Sequence, residues 1–308
     1  MLLDYLVDFC DKQYSVSKPC RCGNKCNKHP SGVCSGSCYD CLYQIHFPRR
    51  FYGEKIKKEY DCTKMLYHYV CQYSYLYTTE MLYALCEELN FINKFPYYHV
   101  LSLGCGGCAD LMAFDCLLSH QKITAPISYL GIEINPLWKP IHDEIEKYYN
   151  SSDAVKFRIP GYNDAFDCFK DKELPNTNII IISYLISYSY NTGQINKIDE
   201  LAKDIANNII SKKSGNETLL LIINDVNSNN RGRDYFSHFE EAIKNSGITI
   251  INGKYKYFDT GNLNCYQTNG FLPYNATKCL FGIPPRIEKQ YHAQKKLNST
   301  IQLLLEVK

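Results

Sequence analysis

The sequence predicts an α/β fold whose core is a doubly wound, mostly parallel sheet over residues 96–308. Two observations carry this prediction. Apolar strand-like runs alternate with helical stretches over about 130 residues, which is typical of parallel strands joined by right-handed helical crossovers. The first run ends in a glycine-rich bend, VLSLGCGGCADL at 100–111, where such sheets pass from the first strand into the first helix.

The elements follow one another along the chain. Apolar runs bounded by turn residues predict strands, and these lie at 98–103, 127–134, 154–159, 178–186, 219–225, 248–258 and 300–307. Stretches with helical periodicity predict the intervening helices, and these lie at 110–120, 137–150, 196–211 and 233–245. The carboxyl ends of the parallel strands then meet at one edge of the sheet, where ligands bind in such folds.

The first 95 residues are organised differently from the rest. They hold ten of the sixteen cysteines, and the stretch 17–37 shows no apolar periodicity. Apolar residues at helical spacing over 64–93 predict one or two amphipathic helices, and 93–96 resembles a linker. We therefore predict a small cysteine-rich helical region at 1–95 and an α/β domain at 96–308.

The cysteines of the first region are spaced as metal ligands. Thiolates separated by two to four residues can converge on one tetrahedral ion, and zinc would order a stretch that is poor in apolar residues. The predicted ligands are Cys20, Cys22, Cys26, Cys34, Cys38 and Cys41. His29 is a further candidate, and the alternative is a reduced tail without metal.

Charge and hydropathy limit the location and the partners. Lys and Arg number 34 against 32 Asp and Glu, so any nucleic-acid site must be a local patch. The first residues carry Asp4 and Asp8 where a secretory signal would carry Lys or Arg, and the longest apolar run is too short to span a bilayer. We expect a cytoplasmic protein with reduced cysteines and no membrane partner.

The glycine bend suits a nucleotide. Gly104, Gly106 and Gly107 permit positive φ and a close approach of the ligand to the backbone, and the next helix offers its N–H groups. A tight turn without ligand is the alternative, because GCGGCA is also a weak match to a general dinucleotide-binding pattern.

Two acidic positions strengthen the nucleotide interpretation. Glu133 ends the second predicted strand, where a carboxylate can accept hydrogen bonds from both ribose hydroxyls. Asp164 follows the third strand and can accept from an adenine amino group, while Ala165 leaves room for the ring. Each acid alone is more often a solvated carboxylate or a helix cap, but three such features at three strand ends favour a binding site.

Four segments taken together resemble a known family. VLSLGCGG, YLGIEINP, NDAF and NIIIISYLIS, in this order, are similar to the first four motifs of class I S-adenosylmethionine-dependent methyltransferases, and the resemblance covers about residues 96–308. It implies a seven-stranded sheet whose last strand is antiparallel, and S-adenosylmethionine as cofactor. The cofactor-binding residues that it implies are Gly104, Gly106, Gly107, Glu133, Asp164 and Ala165.

One position departs from the family pattern. The family often has an acidic residue two positions before the first glycine, and here that residue is Ser102. Ser102 stays a candidate cofactor-binding residue, and Asp110, at the start of the next helix, is the candidate that contacts the amino group of the cofactor in its place.

The resemblance places the acceptor near the segment after the fourth strand. Methyl transfer from a sulfonium depends mainly on the position of the acceptor. The candidate catalytic residues are Ser183, Tyr184 and Ser187, with Asp225 and its neighbour Asn224 as a possible base or substrate contact at the end of the fifth strand. The [DNS]PP[YFW] motif of amino-methylating nucleic-acid enzymes is missing, which argues against adenine N6 or cytosine N4 as the target.

The predicted acceptor is a nucleic acid, with the basic and aromatic strip 46–58 as its contact. The alternatives are a small-molecule or protein acceptor, and a cofactor-binding module without chemistry. An NAD-dependent oxidoreductase is a further alternative, because Glu133 would serve its ribose equally well. A radical S-adenosylmethionine enzyme is suggested only by the CxxxCxxC spacing of Cys34, Cys38 and Cys41.

Overall fold

The computed structural model describes residues 1–17, 37–47, 59–168, 176–213, 217–228, 231–258, 270–274, 278–297 and 300–308. In these parts of the chain one sheet of eight strands forms the centre of the molecule. The strands are β1 (Tyr98–Leu103), β2 (Ile127–Ile132), β3 (Val155–Arg158), β4 (Ile179–Ser183), β5 (Leu219–Val226), β6 (Ile250–Phe258), β7 (Leu272–Tyr274) and β8 (Thr300–Val307).

The strand order is β3-β2-β1-β4-β5-β8-β6-β7. The last strand, β8, lies between β5 and β6 and runs antiparallel to both, and all other pairings are parallel. The predicted antiparallel last strand is therefore confirmed. The predicted number of seven strands is wrong, because the short β7 adds to the edge of β6. Its sequence, Leu-Pro-Tyr, is too short to show a strand pattern and carries a proline.

Ten α-helices surround the sheet in the described parts of the chain. They are α1 (Leu2–Val16), α2 (Cys38–His46), α3 (Thr63–Glu87), α4 (Leu89–Ile92), α5 (Ala109–Ser119), α6 (Lys139–Tyr149), α7 (Leu185–Thr192), α8 (Lys197–Ile205), α9 (Phe236–Asn245) and α10 (Pro285–Tyr291). The four helices predicted between strands are confirmed as α5, α6, α8 and α9. The sequence did not predict α7. The first two residues of α7 belong to the strand that the sequence predicted at 178–186.

The strand β4 ends earlier than its apolar run because the backbone changes direction. Tyr184 adopts a left-handed conformation with φ 57°, and α7 begins at the next residue. An apolar run alone cannot distinguish a buried strand from the first turn of a buried helix. The turn brings α7 across the carboxyl ends of β4 and β5.

The sheet has a hydrophobic core on each face. Side chains alternate along the strands, so that Val100 and Ile181 pack under α1, α3, α5 and α6. Leu101 and Ile180 point to the other face and pack under α8 and α9. Because helices cover both faces of the sheet, the sequences of the central strands are continuous apolar runs.

The long helix α3 is buried on nearly every side. Of its 25 residues, 18 are buried. The prediction of an amphipathic helix is therefore wrong in this respect. The helix packs against α1, α2, α5 and α10 and also reaches β5, so it has hardly any face left for solvent.

The helices of 1–95 share a core with the sheet of 96–308. Leu6 of α1 and Val70 of α3 belong to the same cluster of buried side chains as Val100 of β1 and Phe114 of α5. The boundary predicted at residue 95 is thus not marked by a gap between two cores. Over the described ranges, no helix has the length and the apolar character that crossing a membrane requires.

Candidate functional site

The glycine bend connects β1 to α5 at the carboxyl edge of the sheet. Gly104 and Gly106 have φ values of +70° and +47°, which only glycine adopts freely. A Cβ atom on Gly104 would lie 3.3 Å from the side chain of Leu185. The N–H groups of Gly104 and Cys105 donate to the carbonyl oxygen of Ile132 at 2.8 and 3.1 Å, which ties the bend to the end of β2.

The side chain of Glu133 holds the bend from the neighbouring strand. Its two carboxylate oxygens accept hydrogen bonds from the N–H groups of Gly106 and Asn135, both at 2.9 Å. Glu133 is 7 % exposed, and burial raises the pKa of its carboxyl group. A carboxylate has about four acceptor sites, so two remain for a pair of hydroxyl groups.

The side chain of Asp110 lies at the inner end of the bend. Its Oδ1 accepts from the hydroxyl group of Tyr129 at 2.9 Å and from the N–H of Leu111 at 3.0 Å. Its Oδ2 is buried and has no hydrogen-bond partner among the described residues. Burial raises the pKa of this carboxyl group. An unpaired buried acceptor is costly, and a donor such as an ammonium group would satisfy this oxygen.

Asp164 and Ala165 lie after β3. The Asp164 Oδ1 accepts from the N–H of Phe166 at 3.1 Å, and its Oδ2 lies 3.4 Å from the Nζ atom of Lys197. Ala165 is buried beside it. Each oxygen of the Asp164 carboxylate therefore already has one partner, and only part of its capacity to accept hydrogen bonds remains for a ligand.

A cavity joins these residues. Its wide part, about 530 Å³, is lined by Gly104, Gly106, Glu133, Trp138, Asp164, Ala165 and Ser183, with other residues of the strand ends. A narrow part of about 70 Å³ is lined by Ser102, Gly104, Gly106, Gly107, Asp110 and Asn224, among others. We call the two parts together the cofactor cavity. It holds all eight cofactor-binding residues that the sequence predicts.

The predicted catalytic residues do not all reach this cavity. Ser183 and Tyr184 line it, whereas Ser187 lines a neighbouring pocket. Asp225 is fully buried, and its oxygens accept from the N–H groups of Ile186, Ser187 and Val226. Burial raises the pKa of Asp225 to about 6. From β5, Asp225 therefore accepts from N–H groups in the first turn of α7, as a residue that caps a helix does.

A buried carboxylate that the sequence does not reveal lies next to Tyr184. Glu80 of α3 has no exposed surface. Its Oε2 accepts from the hydroxyl group of Tyr184 at 2.7 Å and from the amide of Asn224 at 3.1 Å, and its Oε1 accepts from Thr300 at 2.9 Å. Nothing in the local sequence marks Glu80, because its partners lie on β4, β5 and β8.

Glu80 makes stability depend on pH. Burial raises its pKa to about 7, whereas a glutamate in an unfolded chain titrates near about 4.3. Between these values the folded state holds the extra proton, so the free energy of unfolding falls as the pH rises from 5 to 7.5. We expect Glu80→Gln to reduce this fall by about 2 kcal/mol. Denaturant titrations at several pH values measure it.

The slope, and not the absolute stability, is the decisive quantity in this comparison. Glu146→Gln, on the exposed side of α6, is the matched control and should keep the wild-type slope. Equal slopes in wild type and Glu80→Gln would contradict the assignment.

Most of the predicted zinc ligands cannot be placed. Cys20, Cys22, Cys26 and Cys34, like His29, lie outside the described residues. Cys38 and Cys41 lie one turn apart on α2 and are buried in a small cluster with Leu42, Ile45, Met65 and Tyr73. Zinc at these cysteines therefore stays a prediction.

A second group of metal-ligand type lies behind the bend. Ligand atoms of Cys105, Cys108 and His142 lie within 4.8 Å of one another. Burial opposes ionisation of Cys108, but hydrogen bonds from Cys105 and His142 lower the pKa of its thiol to about 7. The ring nitrogens of His142 also lie 2.7 Å from the carbonyl oxygen of Gly106 and 3.2 Å from the hydroxyl of Tyr162. A structural zinc needs a fourth ligand, and no further Cys, His, Asp or Glu joins the group in the described chain.

Comparisons with known proteins give similar structures only. No family model and no curated protein sequence matches the chain. WbdD, described as a bifunctional kinase-methyltransferase, is 14% identical over 73% of this chain and 39% of its own, with a TM-score of 0.38. The METTL16 MTase domain is 10% identical over 73% and 65% of the two chains, with a TM-score of 0.39.

A third similar structure covers more of the chain. A putative class I S-adenosylmethionine-dependent methyltransferase of Listeria monocytogenes, lmo1582, is 9% identical over 99% of this chain and 87% of its own, with a TM-score of 0.45. All three proteins are described as methyltransferases. The chain spans less than two thirds of the length of WbdD and of the METTL16 domain. Identities this low say nothing about shared substrates.

Proposed function

We propose that this protein is an S-adenosylmethionine-dependent methyltransferase. The observation that carries the proposal is the order of acceptor groups along one cavity. Asp110 suits the amino group, Glu133 suits the ribose hydroxyls, and Asp164 with Ala165 suits the adenine. When bound, the cofactor supplies a methyl group already activated on a sulfonium sulfur. The residues of this chain bind and orient it.

The sheet order supports a methyltransferase over a dehydrogenase. Doubly wound dinucleotide-binding sheets are mostly parallel and have the order 3-2-1-4-5-6, with the last strand at the edge. Here the antiparallel β8 lies between β5 and β6. An oxidoreductase that binds a nicotinamide nucleotide is therefore the weaker candidate.

The acceptor that we propose is a nucleic acid. The basic and aromatic strip 46–58 that supports it lies outside the described residues except for His46 and Phe47. Both of these residues line a pocket next to the cofactor cavity. A small-molecule or protein acceptor and a module without chemistry are the alternatives that acceptor screening distinguishes.

Calorimetric titration with S-adenosylhomocysteine, with NADH as the comparison, tests the cofactor. We expect binding of S-adenosylhomocysteine alone. In Asp110→Asn its affinity should fall about 10-fold, because the bond from the ammonium group loses its charge. The affinity of methylthioadenosine, which lacks the amino-acid part, should stay unchanged. An equal loss for both ligands would contradict the role of Asp110, and binding of NADH alone would contradict the proposal.

A further inference from the structure

Two cysteines of the glycine bend and a histidine of α6 meet behind the bend. Cys105 and Cys108 come from the segment between β1 and α5, and His142 comes from α6. Their ligand atoms, one from each residue, all lie within 4.8 Å of one another. Cys108 and His142 are buried, and Cys105 is 9 % exposed. Three side chains that bind soft metal ions thus converge inside the protein, and the proposed function uses none of them.

The spacing of the three ligand atoms suits one zinc ion. Bonds of about 2.3 Å to sulfur and about 2.0 Å to nitrogen place tetrahedral ligand atoms about 3.5–3.8 Å apart. The atoms of this group lie within 4.8 Å, so they need to draw together by about 1 Å to reach that spacing. Magnesium and calcium take oxygen ligands, whereas thiolate and imidazole are ligands of zinc. The ligand set therefore favours zinc.

The ring of His142 is already held in one orientation. It is nearly parallel to the rings of Trp138 and Tyr162, with centroids 6.5 and 6.0 Å away. Its Nδ1 lies 3.2 Å from the hydroxyl group of Tyr162. Its Nε2 and the Sγ atom of Cys108 lie 2.7 and 3.8 Å from the same carbonyl oxygen, that of Gly106, so we take Nε2 as the ligand atom. A ligating histidine donates its other N–H to a nearby oxygen, and Tyr162 offers that oxygen.

The local backbone accommodates both thiols. A Cβ atom on Gly131 of β2 would lie 2.7 Å from the Sγ atom of Cys105, so the absence of a side chain leaves space for this thiol. Cys108 has a left-handed conformation with φ 58°, which glycine adopts more readily than cysteine. Such a conformation persists in a residue with a side chain where the surrounding structure requires it. The chain thus carries a cysteine where the backbone alone favours glycine.

Three protein ligands leave one position of a tetrahedral ion open. Two cysteines and one histidine are the protein ligands of a known type of zinc site whose fourth position holds water or another small ligand. Cys105 lines the narrow part of the cofactor cavity, and His142 lines a separate pocket of about 230 Å³. Both openings give an ion and a small fourth ligand a route to the group.

We propose that Cys105, Cys108 and His142 bind one zinc ion, which cross-links the glycine bend to α6. Water takes the fourth position. The two thiols release their protons to solvent when zinc binds, and no electron is transferred. This site is separate from the zinc predicted at the cysteines of 20–41. It does not depend on the proposed function, because the three ligands need no cofactor to converge.

The zinc content of the full chain, measured by elemental mass spectrometry after dialysis, tests the site. The cysteines of 20–41 can hold zinc as well, so the decisive quantity is the difference between variant and wild type. We expect Cys108→Ser and His142→Gln each to hold one zinc ion fewer per chain. Competition with a chelator should show at least about 100-fold weaker binding at this site, since even a residue that only orients a ligand contributes about 10–100-fold.

The matched controls lie on α5 and at its end. Cys116→Ser and His120→Gln change the same residue types outside the group and should keep the zinc content of wild type. Circular dichroism shows whether each variant folds.

Tyr162→Phe tests the site without removing a ligand. It deletes only the hydroxyl partner of His142 and should weaken zinc binding about 10-fold. Tyr148→Phe changes a half-buried tyrosine of α6 outside the group and should bind zinc as wild type does.

Alkylation of wild type needs no variant. One tryptic peptide, 95–122, contains Cys105, Cys108 and Cys116, so mass spectrometry of this peptide follows all three thiols together. With free zinc at about 10 times its Kd, alkylation of the first two should slow about 10-fold, because the fraction of empty sites falls by that factor. Alkylation of Cys116 should stay unchanged, and magnesium should protect none of the three.

The outcomes separate this inference from the proposed function. Zinc lost from Cys108→Ser and His142→Gln, kept in the controls and protecting the two thiols supports the site. Equal zinc in wild type and both variants, or no protection by zinc, overturns it. Where a ligand variant does not fold, unchanged binding by Tyr162→Phe or absent protection overturns it instead. All samples lack S-adenosylhomocysteine, so the titration of that ligand decides the proposed function independently.

Discussion

Glu133→Ala is expected to weaken the binding of S-adenosylhomocysteine about 100-fold. The wild-type carboxylate accepts from the N–H groups of Gly106 and Asn135 and has two acceptor sites left for the ribose. Alanine removes both ribose bonds and frees the N–H of Gly106. Hydrogen bonds to a charged group contribute about 1.5–3 kcal/mol each, so the loss of one to two of them corresponds to this factor. Calorimetric titration measures it.

A matched control separates the site from general charge effects. Asp153→Asn changes an exposed carboxylate before β3, at the opposite end of the strands, and should bind as wild type does. Thermal unfolding of Glu133→Ala without ligand shows whether the bend still folds. Wild-type affinity in a folded Glu133→Ala protein would remove Glu133 from the cofactor site and with it the main support for the ribose assignment.

Leu6→Ala is expected to lower the free energy of unfolding by about 2–5 kcal/mol. Leu6 has no exposed surface and lies in the core that α1 shares with α3 and the sheet. Because this core is continuous, the change in α1 should also shift the unfolding of the distant cofactor bend. The single tryptophan, Trp138, reports on that bend, since its ring packs against Gly107.

Denaturant unfolding followed by tryptophan fluorescence and by far-ultraviolet circular dichroism tests this expectation. The two signals should have one midpoint in wild type and should shift together in Leu6→Ala. Val16→Ala, at the exposed end of α1, is the control and should change stability by less than about 0.5 kcal/mol. An unchanged fluorescence midpoint in Leu6→Ala would show that the first helices and the sheet unfold separately.

The candidate cofactor site was largely predictable because its residues follow from local patterns. Gly104 and Gly106 are marked by their position after an apolar run, and Glu133 and Asp164 by theirs after the next two strands. Parallel strands bring their carboxyl ends together whatever the details of packing. Because β1, β2 and β3 are neighbours in the sheet, their carboxyl ends bring these residues to one cavity.

The pocket next to the cofactor cavity was not predictable in the same way; it is lined by Tyr60, Tyr69, Tyr73, Tyr77, Tyr184 and Tyr188. Tyrosine is so frequent in this chain that the sequence favours packing over contact with a base for Tyr188 and Tyr190. Only the fold brings Tyr69 and Tyr73 of α3 opposite Tyr184 and Tyr188. The left-handed turn at Tyr184, which ends β4 early and starts α7, is what makes them meet.

The sequence by itself determined the alternating strands and helices, the glycine bend and the acidic residues at the strand ends, because each depends on neighbours along the chain. Tertiary structure decided the burial of α3, the insertion of β8 between β5 and β6, and the network around Glu80. Glu80 lies 104 positions from Tyr184 and 220 from Thr300. Contacts across such separations depend on how whole elements pack. The local sequence therefore contains no pattern that predicts them.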